Sequence, residues 1–383
     1  MGDDRLFALQ RRERVMEELR RHGAVRVRDL ARILAVSELT VRRDIAALAA
    51  DGLLTKVHGG ATLPTDLEPA NSAVPGRRPR PAAAGFTIGM VVPSLDFYWP
   101  LIVGGARASA AALGVQIQLR GSSYDQAEDR RQISRLIAAQ QVQGLLLAPN
   151  LEGDGVEEMI DWIGNLPVPT ILVERQTPHW TPTPRQLEWV RSDHALGLEM
   201  AVRHLHEHGH RRMGLVLSKG SPTSAHLAVG WRRVCADLGL PAEFVVRESV
   251  ALDVPGHREI IGRVLERCRD HRTTALIVHS DPDAISIAQY LAEVGISIPG
   301  DMAMVSYDDE VAQLAEPAMT AVRPSKGRVG RVAVEMMVSR LIEGKRRPAQ
   351  RVLILPELII RNSSVASSRQ VWTAPAGDSA PYS

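Results

Sequence analysis

Residues 36–63 read VSELTVRRDIAALAADGLLTKVHGGATL, and this stretch decides the fold of the N-terminal part of the chain. Ser37 is placed to cap a helix that runs to Ala50, where Gly52 supplies the stop. The residues after Gly52 alternate in polarity around a glycine pair, which predicts two short strands joined at a turn. The stretch therefore predicts a helix with a β-hairpin wing beside it.

Two further helices are predicted upstream of this stretch. The first runs from Arg5 to His22, and the second lies around residues 29–35 with Leu30 and Leu34 on one face. Three helices followed by a hairpin predict a winged helix-turn-helix, the third helix being the one that enters a DNA groove.

The third helix has an apolar side and a basic side. With Val41, Ile45 and Leu48 turned inward, Arg43 lies almost opposite Val41. Arg43 is the candidate to contact a guanine edge, and Leu39 is the candidate to contact a thymine methyl group. Ser37, Thr40 and Arg42 are the candidates to bind phosphates. The alternative is a solvated surface of an ordinary helical bundle. The predicted DNA contacts are Ser37, Leu39, Thr40, Arg42 and Arg43 on the helix, with Lys56 and His58 on the wing.

Charge and composition divide the 383 residues into several regions. Residues 1–63 carry 12 Lys or Arg against 9 Asp or Glu, a basic end that suits phosphate. The proline-rich residues 64–84 predict a semi-extended linker, residues 85–363 a larger domain, and residues 364–383 a disordered tail. The N-terminal residues lack a secretory pattern and no apolar run is long enough to span a membrane. We expect a cytoplasmic protein without a membrane partner.

The larger domain alternates short apolar runs with amphipathic segments from Phe86 onward. Runs such as 86–92, 144–148 and 275–278 predict buried parallel strands, each flanked by a helix. The fold class is therefore α/β, and the length favours two lobes. Cys235 and Cys268 each fall inside a predicted helix and are expected in the core.

Polar and aromatic side chains follow these predicted strands, where parallel sheets bind ligands. Residues 94–99 read SLDFYW, and Glu174-Arg175, Ser280-Asp281 and Tyr307-Asp308-Asp309 follow later strands. Carboxylates and guanidinium groups bind hydroxyls, and aromatic rings cover the apolar face of a sugar or stack on a base. We expect a sugar, polyol or nucleoside ligand. The alternative for Tyr98 and Trp99 is packing at the start of a helix.

Residues 25–61 resemble the DeoR family of bacterial regulators. The matching residues are Asp29-Leu30-Ala31, Val36-Ser37, Thr40-Val41-Arg42-Arg43-Asp44-Ile45, Leu48, Asp51-Gly52 and His58-Gly59-Gly60-Ala61. The resemblance implies binding to double-stranded operator DNA through the third helix and the wing.

Residues 86–362 resemble the effector domain of the LacI/GalR family, which shares the fold of periplasmic sugar-binding proteins. The matching segments include Thr87-Ile88-Gly89-Met90-Val91-Val92-Pro93, Val173-Glu174-Arg175, Ser192-Asp193-His194, Gly209-His210-Arg211-Arg212-Met213-Gly214 and Val305-Ser306-Tyr307-Asp308-Asp309. The resemblance implies two lobes joined by three crossovers, a ligand in the cleft and a homodimer or higher homo-oligomer. We expect lobe 1 over about 85–190 and 322–345, and lobe 2 over about 191–321 and 346–363.

On this resemblance, Arg175 and Asp281 are the leading ligand residues. The loop ending in Asp96, Phe97, Tyr98 and Trp99 forms a wall of the cleft. Relatives often carry an arginine a few residues before the pair Gly230-Trp231, where this chain has Ala225-His226-Leu227. Either His226 substitutes for that arginine, or the ligand lacks the group that the arginine meets. By family analogy, the expected function is a ligand-controlled transcription regulator that represses.

The larger domain has two alternative classes of function. No phosphate-binding glycine loop, nucleophile elbow or His-Glu-x-x-His motif is present, so neither catalysis nor a cofactor is expected. A sugar- or nucleoside-processing enzyme and a solute-binding protein without a regulatory role are the alternatives. His204, His206, His208 and His210 alternate along a helix and point to different faces, so no metal site is expected.

Overall fold

The computed structural model describes residues 24–34, 36–50, 54–57 and 60–62 near the N-terminus and residues 85–139, 141–177 and 187–365 of the larger domain, together with residues 11, 14, 15, 18 and 19. The chain divides into two compact units, residues 1–79 and 80–383. The boundary falls within the predicted linker, and residues 64–84 themselves lie outside the described ranges. Their extended conformation therefore stays a prediction.

The N-terminal unit contains helices around a small antiparallel sheet. Its elements are β1 (Ala24–Arg26), α1 (Val27–Ile33), α2 (Glu38–Ala50), β2 (Thr55–Val57) and β3 (Gly60–Thr62). Residues 11, 14, 15, 18 and 19 are also helical, and the rest of the predicted first helix lies outside the described residues. One apolar cluster joins these elements: Val15, Leu19, Val27, Leu30, Leu34, Val41, Ile45, Leu48, Leu54 and Ala61.

The start of α2 follows the sequence prediction. The backbone N–H of Thr40 donates a hydrogen bond to Ser37 Oγ at 3.2 Å, so Ser37 caps the helix. The sheet, in contrast, has one strand more than predicted, because β1 pairs with β3 on the side opposite β2. Gly60 permits this approach, since a side chain there would overlap the carbonyl oxygen of Val25.

The larger unit is α/β with two six-stranded sheets, which confirms the predicted fold class. The first lobe is a fully parallel sheet in the order β14-β8-β7-β6-β4-β5. Its elements are β4 (Thr87–Val92), α3 (Trp99–Leu113), β5 (Gln116–Gly121), α4 (Gln126–Ala138), β6 (Gly144–Leu147), α5 (Val156–Gly164), β7 (Thr170–Val173), β8 (Glu188–Ser192), α10 (Lys326–Glu343) and β14 (Arg351–Ile354).

The second lobe has the strand order β10-β9-β11-β12-β13-β15, in which only β15 runs antiparallel to its neighbour. Its elements are α6 (His194–Glu207), β9 (Met213–Leu217), α7 (Pro222–Leu238), β10 (Val245–Arg247), α8 (His257–Asp270), β11 (Ala275–His279), α9 (Asp281–Glu293), β12 (Ala303–Tyr307), β13 (Thr320–Arg323) and β15 (Glu357–Ile359). Cys235 and Cys268 are buried in this lobe, as predicted.

The chain crosses between the lobes three times: from β8 to α6, from β13 to α10 and from β14 to β15. The expected lobe boundaries need correction at the last crossing. Residues 346–363 were assigned to the second lobe, but β14 pairs with β8 in the first sheet, so the chain returns only after Ile354. Glu188 anchors this segment by accepting hydrogen bonds from Arg347 at 2.6 Å and Arg340 at 2.8 Å.

Helices α3 and α10 approach each other at glycines in the core of the first lobe. A side chain at Gly105 would overlap the backbone of Gly327, and one at Gly330 would overlap the carbonyl oxygen of Ile102. The C-terminal boundary also differs from the expected one. Ser364, predicted to begin the disordered tail, is buried and hydrogen-bonded to His204 Nε2 at 2.8 Å. Residues 366–383 lie outside the described ranges.

Candidate functional site

The exposed face of α2 carries most of the predicted DNA contacts. Leu39 is 60% exposed, Arg42 and Arg43 are exposed beside it, and Thr40 is half-buried. Arg42 forms an exposed ion pair with Glu38 at 3.4 Å, which costs little to break. Arg43 forms no ion pair or hydrogen bond with any residue that the structure describes. Both guanidinium groups therefore lie on a surface that a major groove can accept.

A buried ion pair fixes the opposite side of α2. Arg11 Nε donates to Asp44 Oδ2 at 2.5 Å, and this hydrogen bond raises the pKa of the Arg11 guanidinium. Asp44 is almost fully buried, so the pair links the helical N-terminal residues to the candidate recognition helix. On the wing, Lys56 lies in β2 opposite Ala61, and His58 lies outside the described residues. The wing contacts therefore stay predictions.

The carboxyl ends of the strands in the larger unit show concentrated backbone strain. Among the described residues, six that are not glycine have positive φ, and five of these follow strands of the two sheets: Tyr98, Tyr124, Glu174, Asp308 and Asp309. Each such residue costs about 1–3 kcal/mol, and such strain clusters at functional sites. The strained loops mark the interlobe cleft as the candidate ligand site.

Arg175 lies at the base of the first-lobe side of this cleft. Its Nε donates to the carbonyl oxygen of Pro149 at 2.7 Å and its Nη1 to that of Glu174 at 2.8 Å. The remaining nitrogen, Nη2, is buried and has no hydrogen-bond partner among the described residues. Burial lowers the pKa of this guanidinium, and a buried cation without a carboxylate bonded to it is costly. A ligand oxygen at Nη2 would complete the site.

Asp129 provides an acceptor close to Arg175. It projects from α4, is almost fully buried, and accepts a hydrogen bond from the backbone N–H of Asn150 at 2.8 Å. The buried hydroxyl of Ser122 hydrogen-bonds to this carboxyl, which opposes the effect of burial on its pKa. Burial raises the pKa of the Asp129 carboxyl. A carboxyl group that can accept further hydrogen bonds thus lies near the unpaired donor of Arg175, as a polyhydroxylated ligand requires.

Aromatic rings line the same lobe. The Arg175 guanidinium lies 5.6 Å from the ring centroid of Trp99, whose indole N–H donates to the Tyr124 hydroxyl at 3.3 Å. Tyr98 stands edge-on to Trp99, with the ring centroids 5.9 Å apart. Trp99 is also part of the hydrophobic core, so helix packing accounts for most of its burial. Tyr124 and Phe97 are 43% and 41% exposed and remain accessible.

A buried chain of hydrogen bonds crosses from one lobe to the other. Glu174 accepts from the Tyr98 hydroxyl at 3.1 Å and lies 3.3 Å from His194 Nε2. On the second lobe, His194 Nδ1 is 3.2 Å from the Tyr307 hydroxyl. Burial alone would raise the pKa of Glu174, but bonds from His194 and Ser192 outweigh it and lower the pKa. This Glu174–His194 link ties the relative position of the lobes to polar contacts in the cleft.

Lys326 makes a second link between the lobes. It begins α10 in the first lobe, is almost fully buried, and forms an ion pair with Glu310 at 2.7 Å. The same ammonium group donates to the carbonyl oxygen of Asp308 and lies 5.1 Å from the ring centroid of Tyr98. A change in lobe spacing must therefore break or rebuild charged contacts in a low-dielectric site.

His226 lies on α7 at the second-lobe side of the cleft. Its ring stacks beside His194 with centroids 6.2 Å apart. Burial, with the nearby Arg191 charge, lowers the pKa of His226 to about 3. The imidazole is therefore neutral near pH 7, so it offers one donor and one acceptor to a ligand instead of the positive charge that an arginine would supply.

Asp281 is a buried hydrogen-bond acceptor at the start of α9. Its side chain is fully buried, and its Oδ2 accepts hydrogen bonds from the backbone N–H groups of Glu310 at 2.6 Å and Val311 at 2.9 Å. Ser306 donates to the other oxygen. The carboxylate thus holds the loop after β12 in place, and its contact with a ligand stays a prediction.

The remaining predicted residues occupy the rim. Asp96 and Phe97 are exposed, and the backbone N–H of Asp96 donates to Ser94 Oγ at 3.0 Å. Thus Arg175, Tyr98 and Trp99 lie close together and His226 stacks beside His194, whereas Asp96 and Phe97 are exposed in the loop before α3. Asp129 was missed because it lies on a helix and not at a strand end; His194 and Lys326 belong to sequence segments that gave no separate signal for an interlobe contact.

Together, an exposed helix-turn-helix face and a two-lobed α/β domain with a polar cleft define the architecture of a ligand-responsive DNA-binding protein. Comparisons with known families agree with both parts. A family model described as the DeoR-like helix-turn-helix domain matches residues 11–66, and one described as the periplasmic binding protein-like domain matches residues 202–364. Within the described ranges, every helix is too short or too polar to cross a lipid bilayer.

Several repressors and solved structures resemble most of the chain. The arabinose metabolism transcriptional repressor of Geobacillus stearothermophilus is 24% identical over 88% of this chain and 90% of its own length. The ribose operon repressor of Escherichia coli K12 is 24% identical over 88% of this chain and 99% of its own length. The solved complex of the regulator CelR with cellobiose is 25% identical, with a TM-score of 0.61 over 86% of this chain and 91% of that one. A LacI-family regulatory protein from Chloroflexus aggregans, 23% identical, has a TM-score of 0.63 over 73% of this chain and 99% of that chain.

Residues 11–66 therefore match a DeoR-like helix-turn-helix domain and residues 202–364 a periplasmic binding protein-like domain, and the chain resembles transcription repressors over 88% of its length. Both predicted resemblances are therefore confirmed.

Proposed function

We propose that the chain is a homodimeric cytoplasmic repressor whose affinity for operator DNA is set by a sugar, polyol or nucleoside bound between the lobes. It regulates and does not catalyse. The observation that carries the ligand proposal is the buried Nη2 of Arg175, which has no hydrogen-bond partner among the described residues. Satisfying it with a ligand oxygen removes the cost of a buried donor left unpaired.

The surrounding groups favour a polyhydroxylated ligand over an anion. Asp129 contributes an acceptor near Arg175, and an additional anion would be repelled by the Asp129 carboxylate when that group is ionised. His226 is neutral and can bind a hydroxyl in either direction. Tyr124 and Phe97 offer rings to the apolar face of a sugar or to a base. Relatives named for arabinose and ribose, and a neighbour solved with cellobiose, support the same ligand class.

Control of DNA binding requires that the ligand distinguish two states of the protein. The Glu174–His194 link and the Lys326–Glu310 pair supply such a distinction, because their geometry depends on lobe spacing. A ligand that inserts between Arg175 and His226 changes that spacing and so favours one arrangement. In a symmetric dimer, two α2 helices would then meet a palindromic operator with matched half-sites.

The function is tested by calorimetric titration of the full chain with L-arabinose, D-ribose, cellobiose and guanosine. An operator selected from random duplex DNA is then titrated with and without each ligand that binds. We expect at least one ligand to bind and to alter the operator affinity. Binding of a ligand with no change in DNA affinity would contradict regulation, and turnover of the ligand would favour an enzyme instead. Sedimentation of the free chain tests the dimer.

A further inference from the structure

A groove opens on the second lobe at the outer edge of its sheet. It has a volume of about 620 Å³ and lies beside edge strand β10, between helices α7 and α8. Its floor includes the buried side chains of Trp231, Val246 and Val264. The indole N–H of Trp231 donates to the carbonyl oxygen of Ala242 at 2.8 Å, which fixes the floor. This volume lies within the range of small-molecule sites, about 300–1,000 Å³.

The walls of the groove are strongly basic. Four of its lining residues are arginines, namely Arg232, Arg247, Arg263 and Arg267, and the one carboxylate among them is Glu248. The first three arginines are exposed and form no ion pair or hydrogen bond with a residue in the described part of the chain. Several guanidinium groups above an apolar floor present a positive potential to any molecule that enters.

Arg267 is held in position before any ligand arrives. Its guanidinium lies 4.9 Å from the ring centroid of Phe244, and its Nη1 donates to the carbonyl oxygen of Val245 at 3.3 Å. A guanidinium fixed in this way loses little conformational entropy when it binds an oxyanion in a forked geometry.

The same contacts favour a small molecule over an added polypeptide strand. The outward carbonyl of Val245 is occupied by Arg267, and the backbone N–H of Val245 donates to Glu243 at 3.0 Å. An extended peptide that paired with β10 would have to displace both bonds. Strand addition depends on such free backbone groups.

We propose that this groove binds a small organic anion, in which a phosphate or carboxylate meets the arginines and an apolar portion rests on the floor. The site is separate from the interlobe cleft, so it does not depend on the identity of the ligand proposed above. Helix α7 carries Trp231 and Arg232 into the groove and His226 into the cleft region. If the proposed function holds, the anion also acts as a second effector through this shared helix.

The test is calorimetric titration of the full chain with phenyl phosphate, with phenol and inorganic phosphate as probes of each half. We expect saturable binding of phenyl phosphate that is tighter than binding of either half. The double variant Arg232→Gln, Arg263→Gln should lose roughly tenfold in affinity for each charge removed, the equivalent of a charge-assisted hydrogen bond. Phenyl phosphate should also raise the melting temperature of the parent chain but not of the double variant.

Arg269→Gln is the matched control, because Arg269 is exposed on α8 but does not line the groove. It should bind phenyl phosphate like the parent. The proposal is overturned if phenyl phosphate does not saturate, if the double variant binds as well as the parent, or if Arg269→Gln weakens binding equally. Binding of an acidic peptide without binding of phenyl phosphate would also overturn it in favour of a protein interface.

Discussion

Replacing Arg175 with methionine should separate ligand binding from folding. In the parent chain, the buried guanidinium makes two hydrogen bonds to backbone carbonyls, and its Nη2 is the donor proposed to bind the ligand. The substitution removes all of these groups. A charge-assisted hydrogen bond contributes about 1.5–3 kcal/mol, so the ligand dissociation constant should rise roughly 10- to 150-fold. For stability, two carbonyls lose donors while a buried cation is also removed. These effects oppose each other, so the free energy of unfolding should change by less than about 2 kcal/mol.

Arg347→Met is the matched control, since Arg347 is equally buried but forms an ion pair with Glu188 at 2.6 Å. Its removal leaves the buried Glu188 carboxylate with Arg340 as the remaining charged partner. The free energy of unfolding should therefore fall by about 3 kcal/mol, at the lower end of the range for a broken buried ion pair. Its ligand affinity should not change. Calorimetric titration gives the dissociation constants, and urea unfolding gives the stabilities. The reasoning about Arg175 fails if Arg175→Met binds the ligand as tightly as the parent while remaining folded.

Three further outcomes follow from the described contacts. Arg43→Ala should reduce discrimination at one operator base pair by about 1–3 kcal/mol, whereas Arg42→Ala should weaken binding to all duplexes alike. Competition binding with single-base operator variants checks this, and the same base preferences in both variants would contradict the assignment. Gly330→Ala should lower the melting temperature because its methyl group overlaps the backbone of the neighbouring helix, whereas Gly104→Ala, which has open space, should melt like the parent or higher. Because the pKa of His226 is about 3 in the folded state and about 6.5 in the unfolded state, the unfolded state takes up a proton at higher pH than the folded state does. The contribution of His226 to stability is therefore complete above about pH 6.5 and is lost as the pH falls toward 3. Urea unfolding at several pH values should show a shallower fall for His226→Gln, and an equal slope would contradict this contribution.

Periodicity and turn residues were enough to predict the general architecture. Val41, Ile45 and Leu48 predicted the buried face of α2, and continuous apolar runs predicted parallel strands. The sequence did not indicate β1, the third strand of the small sheet, because the strand has only three residues, 24–26. Its pairing also depends on Gly60, which is distant in sequence. Similarly, the short β14 gave no signal for which sheet it joins, since that choice depends on β8 and on the ion pairs of Glu188.

The candidate site was less accessible to sequence reasoning. The rule that ligands bind beyond strand ends selects Arg175 and Asp281 alike, because each comes two residues after the end of a strand. The two differ in their neighbours: the backbone of the following loop occupies Asp281, whereas Arg175 keeps one free donor. Asp129 reaches the cleft from a helix, and His194 joins Glu174, 20 positions away, to Tyr307, 113 positions away. Such contacts are set by tertiary packing and leave no local pattern.

The repeated crossing of the chain between lobes affects the order in which the protein can fold during synthesis. Helix α10 and strand β14 complete the first sheet and its core, yet roughly 130 residues of the second lobe separate Ser192 from Lys326. At about 5–20 residues per second, a ribosome needs roughly 7–25 seconds to make that interval. During this interval the nascent first lobe exposes the apolar surface of α3 that α10 later covers. The newly made protein is therefore prone to aggregation in this period, and a chaperone that covers α3 would protect it.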